Sequence, residues 1–225
     1  MLNTKTMRFP IDVIFECIHW YAAYPLSYRH LEEMMEECGV SVKHSTLSRW
    51  AIRFLPVFEK ALRLHKRPIG ASWRMDETYI KVKGVWKYLY RAVDKEGKTV
   101  YFLLTAKRHK AAAMRFCDKA VQANNVPEKV VMDKPAIDAL NADREVPIVV
   151  RQIKALNNSV EQDHRVVKRV IRPMLGFRSF QAAENVSAGI ELMRMIRKEQ
   201  STMAGADAMS FANQFYALAG PSRAV

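Results

Sequence analysis

The stretch from Trp73 to Gly84 reads as a β-strand running into a turn, and it carries a charge where a strand least tolerates one. Tyr79, Ile80 and Val82 are strand formers, and Lys83-Gly84 offers the turn. Near the middle stands Asp76. Burying its carboxylate is costly unless something compensates, and a cation would do so. A fold built around this strand must then bring other carboxylates toward Asp76.

Beyond this strand the chain is mixed α and β. Residues 72–83, 86–93 and 99–105 are expected to form an antiparallel meander, with Asp94-Lys95-Glu96-Gly97 turning between the last two. A helix at 109–124 has Met114, Phe116, Cys117 and Val121 to bury. Residues 129–133 read as a short apolar strand ending in Asp133. Open α/β sheets place their chemistry at such strand ends, although Asp-Lys-Pro is equally a good turn sequence. A short helix fits 136–142 and a further strand fits 147–152. Asn157-Asn158 opens a long helix to about Ile171, closed by Pro173 and Gly176. Residues 179–199 make a second amphipathic helix, with Val186, Ile190, Met193 and Ile196 on one stripe. The tail from Ser201 is poorly specified, with a weakly docked helix at 211–219.

Before the strand the pattern is helical. Residues 1–9 read as a loose arm, and Val13, Ile14, Cys17, Ile18 and Tyr21 then recur at helical spacing. Ser27 can cap a helix at 28–37 and Gly39 suits the left-handed position after it. Ser45 can cap a third helix at 46–54, ending before Pro56, after which 57–66 continues as a basic helix. Helix, glycine turn and second helix are the parts of a helix-turn-helix. The third helix splits into an apolar face of Leu47, Trp50, Ala51 and Phe54 and a polar one of Ser48, Arg49 and Arg53, with His44 just before it. A recognition helix in a major groove needs that split, though an ordinary helical bundle with a basic outer face has it too. Arg67-Pro68-Ile69-Gly70 is the linker candidate. The expected division is therefore a helix-turn-helix DNA-binding domain at 1–66, a mixed α/β domain at 67–200 and a tail at 201–225.

Charge points to the partner. Lys and Arg number 36 against 23 Asp and Glu, a net +13, which favours a polyanion and above all nucleic acid. No apolar run is long enough to span a membrane, and no signal peptide is expected. Cys17, Cys38 and Cys117 suit neither a disulfide framework nor a zinc knuckle, so a reducing cytoplasm is the expected location.

Glu161 falls in the first turn of the helix opened by Asn157-Asn158. Asn158-Ser159-Val160-Glu161 fits a capping box, which alone explains it. Yet Asp76, Asp133 and Glu161 form an ordered set of strand, strand end and helix, able to hold two divalent ions for phosphodiester chemistry. Glu161, Arg165, Lys168 and Arg172 share a helical face, so one metal ligand and several phosphate contacts lie together.

These residues resemble the small DDE transposases of bacterial insertion sequences, in the insertion-sequence-six group. The matching segments are Leu26-Ser27-Tyr28-Arg29, His44 to Trp50, Met75 to Val82, Tyr88 to Asp94, Met132-Asp133-Lys134, Asn157 to His164 and Leu175 to Phe180. The resemblance implies an all-α helix-turn-helix followed by an α/β, RNase H-like mixed sheet with flanking helices. It assigns metal binding and catalysis to Asp76, Asp133 and Glu161, with two Mg²⁺ ions or Mn²⁺ in their place. It assigns terminal-repeat binding to the N-terminal part, and the partners are double-stranded DNA and further copies of the chain. One departure stands out: Glu161 follows Asp133 by only 28 positions (133 to 161), fewer than the family usually has, with Pro135 directly after Asp133-Lys134. A shortened connection either trims a surface loop or displaces a carboxylate. The alternatives are a DNA-binding regulator, a decayed and inactive transposase, or a nuclease without strand transfer.

Overall fold

The computed structural model describes residues 8–131, 149–151 and 158–218. By internal contacts the chain divides into two compact units. One comprises the residues up to Arg67, Arg169–Leu175 and everything from Glu184; the other comprises Pro68–Lys168 with Gly176–Ala183. Residues from 184 onward thus group by contacts with the N-terminal helices.

The first unit is helical: α1 (Ile11–Ala23), α2 (Tyr28–Glu37) and α3 (His44–Leu64). Ser27 caps α2 as expected, its hydroxyl accepting from the His30 N–H while the His30 ring accepts from the Ser27 N–H. Gly39 follows with φ +77°. The third helix departs from expectation. It starts with Lys43 as the N-cap and runs unbroken through Pro56. Proline cannot donate to the carbonyl four residues back, which is the usual reason a helix stops. Here Asn185 donates its side-chain amide to that carbonyl, Ile52 O, at 2.8 Å. Asn185 belongs to α6 (Phe180–Arg197), which Ser179 begins by accepting from the Ala182 N–H. Close packing backs the substitution, because a Cβ on Gly189 of α6 would fall 2.5 Å from Leu55 Cδ2. The tail helix α7 (Phe211–Ala217) is firmly docked rather than weakly: Phe215 is fully buried and packs edge-on against Phe58 at 4.8 Å.

The second unit is a five-stranded sheet ordered β3-β2-β1-β4-β5. β1 (Ser72–Val82), β2 (Val85–Asp94) and β3 (Thr99–Thr105) form the antiparallel meander, while β4 (Lys129–Val131) and β5 (Val149–Arg151) run parallel to β1. A meander followed by parallel strands added beyond its first strand is the RNase H-like arrangement. On one face Trp73, Met75, Tyr90, Ala92 and Val100 bury against Ala112, Phe116, Cys117 and Ala120 of α4 (Lys110–Asn124). Asp94 is wholly buried yet well satisfied, accepting from the backbone N–H groups of Gly70, Glu96 and Lys98 at 3.0, 2.9 and 2.8 Å. It thereby ties the linker to the β2–β3 turn. α5 (Asn158–Ile171) starts in this unit, and a 3-10 turn at Arg172–Met174 follows it. Asp133 and the short helix expected at 136–142 lie outside the described residues.

Candidate active site and nucleic-acid interface

Asp76 lies in β1, the central strand of the sheet, directly opposite Arg91 of β2. Directly opposed residues of an antiparallel pair share a face, so Asp76 and Arg91 project together, away from the α4 core. Two consecutive residues of α5 meet them there. His164 Nδ1 stands 3.6 Å from Asp76 Oδ2, and Arg91 Nη2 donates to Asp163 Oδ2 at 3.3 Å. Asp76 Oδ1 also accepts from the Glu77 N–H at 2.8 Å. The carboxylate remains about a third exposed, whereas the Arg91 side chain is essentially sealed from solvent.

Low dielectric around Arg91 gives its ion pair weight. Removing one partner of a buried pair leaves an uncompensated charge and costs about 3–5 kcal/mol. Arg91–Asp163 therefore pins α5 over the sheet at the level of Asp76. Glu161, one half-turn earlier, is carried by the same helix. The sequence reading missed Arg91, Asp163 and His164. Of the helical face expected to carry Glu161, Arg165, Lys168 and Arg172, the last three are exposed. The signal for the inward face was the spacing of His164 to the buried Val167 and then Val170.

Fit to a divalent cation rests on donor chemistry. Asp76, Asp133 and Glu161 are hard oxygen donors of the kind Mg²⁺ takes, and the Asp76 carboxylate is open enough to meet an ion. Among the described residues no three His, Cys, Asp or Glu side chains converge as a metal site. Asp133 lies outside those residues, and of Glu161 only the backbone is described.

In the helical unit the expected DNA-contacting residues divide. Arg49 and Arg53 are exposed on α3. Arg49 Nη2 donates to Thr46 Oγ1 at 3.1 Å, and the Arg53 guanidinium lies over the Phe54 ring at 5.2 Å. Both guanidiniums are thus steered by their own helix. Ser48 is half-buried and bonded to Tyr28. His44 is engaged by Glu32 of α2, whose Oε2 accepts from its backbone N–H at 2.9 Å and meets its Nδ1 at 2.6 Å. Lys43 Nζ sits 3.3 Å from the other oxygen. These bonds, the His44 N–H foremost, pull the Glu32 carboxyl down to about 2. The acid thereby closes the α2–α3 turn in place of the expected serine cap.

A family model described as a DDE domain matches residues 70–200. The transposase for the insertion sequence-like element IS431mec of Staphylococcus aureus (strain Mu50 / ATCC 700699) is 35% identical over 199 residues, covering 85% of this chain and 87% of its own. The chain belongs to the DDE transposases of the insertion-sequence-six family. The transposase for insertion sequence element IS257 in transposon Tn4003, also from Staphylococcus aureus, matches at the same 35% identity and the same coverage. A chain of a cryo-EM structure of the simian T-cell lymphotropic virus intasome, in complex with PP2A regulatory subunit B56 gamma, aligns over 56% of this chain and 50% of its own. That alignment has a TM-score of 0.39 and 16% identity. As a member of its family this transposase is a DNA-binding polynucleotidyl transferase, of a class that uses divalent metal ions. Among its described residues no helix is long and apolar enough to cross a membrane.

Proposed function

We propose that this transposase binds the terminal inverted repeats of an insertion sequence through α3 and performs both DNA cleavage and strand transfer at Asp76, Asp133 and Glu161. Water attacks the phosphodiester at the element end and releases a 3′-hydroxyl. That hydroxyl then attacks a phosphodiester of target DNA. Both are in-line displacements with no covalent enzyme intermediate. The three carboxylates would hold two Mg²⁺ ions, with Mn²⁺ able to substitute. Bound there, such ions would supply Lewis-acid activation of the attacking oxygen and charge neutralisation of the leaving one. The chain's own part is positional: the β1 backbone fixes Asp76, and the Arg91–Asp163 pair holds the helix of Glu161 against it. Arg165, Lys168 and Arg172 line the exposed side of that helix and its end, and meet phosphates. Arg49 and Arg53, with Ser48 and His44 beside them, face the repeat. The complex on DNA is a homo-oligomer, and it works at the bacterial nucleoid in the cytoplasm.

The observation that carries this reading is the meeting of α5 with Asp76 on one face of an RNase H-like sheet. Incubating labelled end DNA with plasmid and Mg²⁺ tests it. The expected result is joined product, lost in Asp76→Asn while DNA binding persists. Cleavage without joining would make the chain a nuclease, and binding alone would make it a regulator or a decayed copy.

A further inference from the structure

Among the described strands the β1–β2 hairpin reaches farthest. β4 pairs with β1 at Ser72–Arg74 and β3 stops opposite Tyr88. Toward the tip Phe177 runs along the β1 edge, its N–H donating to Lys81 O at 2.9 Å and its carbonyl accepting from the Lys83 N–H at 2.8 Å, which leaves the sheet faces of the hairpin open. Its tip turns at Lys83 and Gly84, with φ of 48° and 78°. Near that tip, on the face that further back buries Met75 and Tyr90, the register sets Tyr79 beside Tyr88 and Lys81 beside Trp86. The two tyrosine rings meet edge-on at 5.5 Å, and Lys81 Nζ lies 5.7 Å from the centre of the Trp86 ring. Tyr79 is 42% exposed and Trp86 57%. Of the four tryptophans, Trp50 and Trp73 are buried and Trp20 half-buried. An indole left in water on the open face of the hairpin tip, beside the Tyr79–Tyr88 pair, is surface kept for a partner.

Chemistry narrows that partner. Lysines interleaved with aromatic faces match a polyanion that also offers π surfaces, which is unpaired nucleic acid; a duplex hides its base faces in the stack. Glu77, the acid of this face, is neutralised by Arg108 at 2.5 Å. A second copy of the chain fits less well, since a two-fold contact would set Lys81 and Lys83 against their own images. We propose that Tyr79, Lys81, Trp86 and Tyr88 form a platform on which the bases of unpaired DNA stack. Lys81 is five positions from Asp76, about 17 Å along the strand at ~3.3 Å per residue, and on the opposite face. The platform deepens the proposed function and rests on that reading, because a cut end is where a duplex frays and its terminal nucleotides can be splayed onto a stacking surface.

The test titrates the full chain with a thymidine oligonucleotide of about ten nucleotides, within the site size of a stacking platform, and follows tryptophan fluorescence. The parent's emission is quenched on binding. Trp86→Leu abolishes the quench and weakens the oligonucleotide about tenfold, as expected for the loss of one stacked base. Trp86→Tyr restores binding, and duplex end DNA binds all three alike. Equal oligonucleotide affinity in parent and Trp86→Leu overturns the proposal. So does a Trp86→Leu variant that changes the sedimentation of DNA-free protein while leaving oligonucleotide binding intact, since the face would then belong to a second copy. None of this needs catalysis. A chain that binds the oligonucleotide through Trp86 and joins no DNA refutes the enzymatic reading alone.

Discussion

A guanidinium as deeply buried as that of Arg91 persists only if its charge is met, and Asp163 meets it. Asp163→Ala should therefore lower stability by about 3–5 kcal/mol, whereas the double variant Arg91→Met/Asp163→Leu, with neither charge, should recover most of it. Thermal denaturation reads both, and an Asp163→Ala variant melting like the parent would show that the pair does not hold α5. Glu161 poses a different question, because capping and metal binding both place it at a helix start. Glutamine still closes a capping box but lacks the charge a divalent ion needs. Glu161→Gln should melt within about 1 kcal/mol of the parent, bind DNA as before, lose joining, and gain less thermal stability from Mn²⁺. Joining at the parental rate would make Glu161 a cap and nothing more. Asp76 was legible in the sequence because a carboxylate inside a strand is anomalous by itself. Arg91, Asp163 and His164 were not, since each is ordinary until the register and α5 bring them together.

At the scale of elements, legibility followed how local the cause is. Strands expected at 72–83, 86–93 and 99–105 form at Ser72–Val82, Val85–Asp94 and Thr99–Thr105. Their alternation and turns are written within a few residues. The stop expected before Pro56 failed because its remedy comes from Asn185, 133 residues from the Ile52 carbonyl it meets. This predicts a specific coupling. Asn185→Ala should cost about 1–3 kcal/mol by leaving the Ile52 carbonyl unmet. On a Pro56→Ala background it should cost far less, because residue 56 then supplies its own N–H. Equal costs in the two backgrounds, measured by denaturant unfolding, would break the account. The C-terminal helix was underestimated for a similar reason. Its anchor, Phe215, buries against Phe58 and beside His19, residues far off in sequence. His19 is buried among Phe211, Phe215, Tyr216 and Tyr24. Burial lowers its pKa below 6.5, Glu16 opposing and Arg197 reinforcing the shift. The unfolded chain then binds more protons than the fold below that value, so this contribution is full above pH 6.5 and is lost as pH falls below it. His19→Phe should flatten the melting temperature between about pH 5 and 7, and an unchanged slope would exclude His19 as its source.

For the whole molecule the question is how a chain of net charge +13 spends its excess. Arg49 and Arg53 are exposed on α3, and Arg165 and Lys168 on α5. Replacing both Arg49 and Arg53 with Ala should weaken end-DNA binding and flatten its salt dependence by about one log–log unit per lost phosphate contact. Specificity lost at an unchanged slope would mean base contacts, and no change in either would remove α3 from the interface. The central claim is that this sheet and helix still make a working DDE site despite the short connection between Asp133 and Glu161. Joining of labelled end DNA to plasmid, compared with and without Mg²⁺ and between the parent and Asp76→Asn, tests it most directly. The account predicts Mg²⁺-dependent joined product from the parent and none from Asp76→Asn, with both binding the end equally. A parent that binds the end tightly and neither cuts nor joins it, in Mg²⁺ or Mn²⁺, would contradict it.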